Sequence, residues 1–183
     1  MLTRATCADL SLRDDAAGRT VYGYAVRWDE ADEITEGGRR YVETWRRGAF
    51  ARTLADRGPE RVKVLALHDQ RRWPLGRLAV GREDGTGLYV EARLSRTRDA
   101  DEALELVGDG VLDAFSIGFV AYEHGERWST DRRSVERVEA GLREVSLVAF
   151  PALAGALVSG VRSASSLPAE AARRRLAMLA RKF

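Results

Sequence analysis

A single cysteine, Cys7, stands in the 183-residue chain, so no disulfide can close within it and no cysteine-built metal site is available. Cys7 is expected to be a small, buried or half-buried packing residue. Histidine is nearly as scarce, with only His68 and His124. Two imidazoles and one thiol make a protein zinc site a poor expectation, and no motif asks for a cofactor. No apolar run reaches the ~18–20 residues of a membrane-spanning helix, and Met1-Leu2-Thr3-Arg4 opens without the apolar core of a secretory signal. These absences point to a globular protein kept inside the cell that makes it, with no membrane partner. Lysine is almost missing too: Lys63 and Lys182 are the only two among 30 basic residues, an arginine excess read as codon bias. The net charge of +2 is concentrated at one end, because residues 165–183 carry +4 and leave −2 for the rest. A near-neutral body argues against a dedicated nucleic-acid binder. There is neither a G-x-S-x-G elbow nor a glycine loop followed by Lys-Ser/Thr, which weighs against an α/β-hydrolase and a nucleotide-driven enzyme.

What is present is strand after strand. A 45% hydrophobic content over this length is enough for one domain with a hydrophobic core. Period-two alternation predicts strands over 2–12, 20–28, 40–45, 61–68, 75–82, 88–95, 112–122, 133–138 and 142–150. The segments 29–40 and 123–130 are polar and are expected as connections. Gly48-Ala49-Phe50 opens a short helix that Gly58-Pro59 stops, and residues 98–107 form a second, with Ala100, Ala103, Leu104 and Val107 as its stripe and Gly108 as its left-handed end. A final amphipathic, basic helix is predicted after Pro168, with Ala172, Leu176, Leu179 and Phe183 on one face. The fold class is thus mainly β with accessory helices (α+β), as an antiparallel β-barrel or sandwich. Residues 1–162 are expected to be the main domain, and 163–183 a linker and C-terminal helix.

The stretch Leu112–Phe119 carries the chemistry. Phe115, Ile117 and Phe119 point one way as a core face, and Ala114, Ser116 and Gly118 point the other. That second face presents a hydroxyl between small residues, open to close approach. Serine becomes a nucleophile when a base takes its proton, and histidine is the natural base. His68 ends its predicted strand on the side of Val62, Val64 and Ala66, and could meet Ser116 if the two strands are neighbours. His124 sits among charged residues and reads as a solvated loop histidine. A third group should hold the imidazole: Asp69 projects the other way along the strand, whereas Glu144 shares a polar face with Ser146, opposite Val145, Leu147 and Ala149. Taken singly, each of these residues is more often structural.

The ordered set of short motifs adds to this. Gly23-Tyr24-Ala25, Gly48-Ala49-Phe50, Leu67-His68-Asp69, Leu75-Gly76, Gly87-Leu88, Gly110-Val111-Leu112, Ser116-Ile117-Gly118-Phe119, and Glu144-Val145-Ser146-Leu147-Val148 with Pro151-Ala152 occur in that order. Over residues 20–162 the chain resembles the prohead (capsid-maturation) serine proteases of tailed phages. It departs from their pattern at Arg47, where a proline often stands, and at Leu153, where an asparagine often does. The resemblance implies a fold similar to the herpesvirus assemblin proteases, with His68 as base and Ser116 as nucleophile. It implies cleavage of the major capsid protein and its scaffold segment inside the immature shell, in the cytoplasm of the bacterial host, by a homodimer. Herpesvirus relatives use a second histidine as third member, but no matching motif surrounds His124, and Glu144 is the residue assigned here. Oxyanion donors that are backbone N–H groups leave no mark in side-chain identity. The competing classes are a non-catalytic β-barrel for capsid assembly or scaffolding, and a small-molecule esterase.

Overall fold

The computed structural model describes residues 1–6, 10–13 and 18–149. The expected C-terminal helix and Cys7 lie outside them. In chain order the strands and helices are β1 Leu2–Thr6, β2 Ser11–Arg13, β3 Thr20–Arg27, β4 Ala31–Glu36, β5 Arg39–Trp45, α1 Ala51–Arg57, β6 Lys63–Ala66, β7 Gly76–Glu83 and β8 Gly87–Leu94. They continue with α2 Arg98–Gly108, β9 Ala114–Ala121, β10 Glu126–Trp128, β11 Ser134–Arg137 and β12 Ala140–Val148. Eight strands form one curled half-barrel sheet in the order β1-β9-β12-β6-β7-β8-β3-β2. A smaller sheet runs β10-β11-β5-β4. The mainly β reading with accessory helices holds. Most pairs are antiparallel as expected, but β12 pairs parallel with β6 and β11 parallel with β5. No helix among the described residues is long and apolar enough to cross a membrane.

Phe115, Ile117 and Phe119 are fully buried, as their alternation requires, and meet Val64, Leu142, Val145 and Leu147 in the core. Four expectations are corrected. The N-terminal stretch is two strands with different partners, β1 on β9 and β2 on β3. Residues 31–36 are a strand rather than a connection: Ile34 is its one buried apolar residue, packed with Tyr41 and Val135, and Gly37-Gly38, both with positive φ, make the tight turn into β5. β10 lies within the segment expected as a loop. Finally, α2 includes Gly108, and the left-handed residue after it is Gly110.

The small sheet is tied to β1 and β9 by buried charge. Glu43, 1% exposed, accepts hydrogen bonds from Arg4 Nε at 2.7 Å and from Arg137 Nε at 2.8 Å. Both guanidinium carbons stand 5.6 Å from the ring centroid of Phe119, which packs edge-on against Trp45. Arg4 also donates to the Tyr41 hydroxyl, which donates in turn to Glu36. Burial and that bond to Glu36 push the Tyr41 phenol up to about 12. Asp32, opposite Glu43 in the β4–β5 register, is pushed up to about 6 by burial and by the Glu30 and Glu43 carboxylates, with Arg4 pulling the other way.

Candidate active site

The register of the large sheet brings the candidate residues together. In the β9–β12 ladder Ser116 faces Ser146 and Gly118 faces Glu144; in the β12–β6 ladder Ser146 faces Leu65 and Glu144 faces Lys63. Side chains at paired positions share a face, so Ser116, Ser146 and Leu65 form one row, and Gly118, Glu144 and Lys63 the next. The other face of these strands is core.

His68 reaches that row by leaving its strand. β6 ends at Ala66, two residues earlier than the alternation predicts, and Leu67 and His68 follow with φ of 51° and 59°. Asp69 N–H donates to the Ala66 carbonyl at 2.9 Å and closes the turn. Positive φ at both central residues is the pattern of a type I′ turn, which asparagine and glycine favour. A leucine and a histidine there cost on the order of 1–3 kcal/mol each. The turn is held on both sides, by Leu67 N–H donating to the Leu147 carbonyl at 3.0 Å and His68 N–H donating to Ser146 Oγ at 3.1 Å. It re-aims the imidazole, so the strand-face argument places His68 wrongly while the residue itself reaches Ser116.

The result is a relay of hydrogen bonds. His68 Nε2 lies 2.5 Å from Ser116 Oγ, and His68 Nδ1 lies 2.6 Å from Glu144 Oε1. Glu144 Oε2 accepts from Ser146 Oγ at 2.7 Å. A carboxylate can only accept, which puts the ring proton on Nδ1 and leaves Nε2 free to receive the Ser116 proton. Ser116 is 1% exposed rather than open as its small neighbours suggest, and the His68 side chain, 21% exposed, forms the boundary with solvent. Glu144 is buried, which strengthens its pull on the imidazole. Asp69 is occupied elsewhere, its Oδ1 accepting from Arg71 N–H. His124 stacks on Tyr122 and pairs with Glu139 at 3.2 Å, in an exposed position outside the relay. Among the described residues no three His, Cys, Asp or Glu groups converge as metal ligands would.

Two members of this arrangement are missed by sequence reasoning. Ser146 is fully buried and joins the His68 backbone to the Glu144 carboxylate; a strand serine carries no signal for that beyond its shared face with Glu144. Gly118 is the other. A Cβ on it would stand 2.2 Å from Glu144 Oε1 and 2.9 Å from Cδ and Cγ, so the carboxylate occupies the space that any side chain would need. Because Glu144 is pinned by two hydrogen bonds, Gly118→Ala is expected to dislodge it. The expected outcome is slower labelling of Ser116 by a fluorophosphonate, by about 10²-fold. Thermal unfolding should show a loss of about 1–3 kcal/mol. Unchanged labelling would mean that the carboxylate position is irrelevant to the serine.

Residues 8–170 match the profile of a protein family described as caudovirus prohead serine protease. No curated protein and no solved structure matches the chain.

Proposed function

Because the chain belongs to the caudovirus prohead serine protease family, we propose that His68, Ser116 and Glu144 are the catalytic groups of an endopeptidase that trims the major capsid protein and its scaffold segment inside the immature shell. The observation that carries this reading is the relay from Ser116 Oγ through both ring nitrogens of His68 to Glu144, closed by residues 48 and 76 positions apart. As the Ser116 oxygen attacks the scissile carbonyl carbon, its proton passes to His68 Nε2. The imidazolium then gives that proton to the leaving amine, and the peptide C–N bond breaks to leave an acyl ester on Ser116. Water, deprotonated by the same nitrogen, hydrolyses the ester and restores the hydroxyl. Glu144 holds the Nδ1–H tautomer and stabilises the imidazolium. Ser146 acts through the other two as a positioning residue.

Co-expression with the major capsid protein of the same particle, with trimming followed by mass spectrometry, tests the assignment. Glu144→Ala is expected to slow trimming by about 10²–10⁴-fold. For Ser146→Ala the expectation is a fall in kcat of roughly ten-fold with KM little changed, since it orients the base without touching the substrate. Full activity in Glu144→Ala would remove that carboxylate from the mechanism.

A further inference from the structure

A cleft of about 490 Å³ opens beside Glu144, large enough for several substrate side chains. Its apolar lining includes Leu65, Pro74 and Val120, and among the described residues three cations border it: Lys63, Arg72 and Arg143. Arg72 is paired with Asp99 at 2.9 Å. Lys63 and Arg143 are exposed, and neither side chain makes an ion pair or hydrogen bond among the described residues. Among the described residues the one carboxylate of the cleft, Glu144, is already bonded to His68 and Ser146.

A backbone irregularity puts Arg143 there. Strict alternation along β12 would send it to the core face with Val145, but the β9–β12 register jumps between Leu142 and Glu144, and Arg143 is the extra residue. A bulge of this kind re-aims a side chain at a sheet surface. Here it converts a core-facing position into a cation beside the candidate site, while Leu142 and Val145 stay fully buried.

We infer that the cleft bordered by Lys63 and Arg143 is a substrate subsite that selects an acidic side chain, with the apolar lining taking its methylene stem. The inference rests on the proposed role of Ser116. Gly118 and Val120 lie two and four residues along β9 from Ser116, on the same face. At about 3.3 Å per residue for an extended peptide, the selected Asp or Glu falls two to four residues from the scissile bond, on one side only.

The test is digestion of a fully randomised synthetic peptide library by the whole protein, with cleavage sites read by mass spectrometry. The expected result is enrichment of Asp and Glu over Lys at one such position by roughly ten-fold, weakening as salt is raised. Lys63→Glu combined with Arg143→Glu should reverse the preference toward Lys and Arg at that position. Cleavage without an acidic preference, or with one that survives the charge reversal, overturns the subsite and leaves the protease assignment standing. No cleavage of any library member would count against both.

Discussion

Alanine at position 116 is expected to stop trimming of the capsid protein, with a fall of about four to six orders of magnitude in kcat/KM. Among the described residues Ser116 Oγ is the hydroxyl that stands against His68 Nε2, and in the proposed mechanism it is the atom that forms the acyl ester. Folding should survive: the lost hydrogen bond leads to a ring that is itself part-exposed and can turn to water, so the stability change should stay within about 1 kcal/mol. His68→Ala should fall as far, because without a base the hydroxyl keeps its proton. His68→Gly offers a sharper test. Glycine accepts the positive φ of the turn and leaves a space the shape of the lost ring, so added imidazole should restore part of the turnover. Trimming that persists in Ser116→Ala would end the assignment outright.

Glu43→Ala is expected to have the largest effect on stability, a loss of about 3–5 kcal/mol, because it strands two guanidiniums inside the protein. Arg4 and Arg137 are 6% and 2% exposed, and Glu43 is the carboxylate that both engage. Arg137 also reaches Glu126 and Arg4 reaches Glu36, but those carboxylates lie nearer the surface. Thermal unfolding should move down by about 10 °C. A compensating control separates charge from shape. Replacing all three residues with apolar ones of similar size should recover most of the loss, since the penalty comes from uncompensated charge rather than from a missing contact. A loss under about 1 kcal/mol in Glu43→Ala would mean that water already reaches the arginines.

The alternation of Phe115, Ile117 and Phe119 is legible in the sequence because a core face repeats every second residue, and it leads straight to Ser116 on the other side. His68 and Glu144 are legible as residue types suited to the serine, but their geometry is not. The turn at Leu67-His68 lacks the glycine or asparagine that would announce positive φ, and it is held by Leu147 and Ser146, nearly eighty residues away. The bulge at Arg143 likewise belongs to a pairing rather than to a local pattern. β4 hides because its burial rests on Ile34 alone, and apart from the exposed Ala31 its other side chains are polar. The parallel β6–β12 pairing joins segments that no short window connects.

That last pairing sets the order in which the relay can assemble. On the ribosome, His68 and Ser116 are synthesised before residues 140–148, and until those are made and paired β9 lacks one neighbour and the imidazole lacks both its carboxylate and the hydroxyl that anchors its backbone. Translation at roughly 5–20 residues per second therefore delivers an unassembled relay first. On the proposed reading, the serine stays unactivated until β12 has been made and paired with β9 and β6.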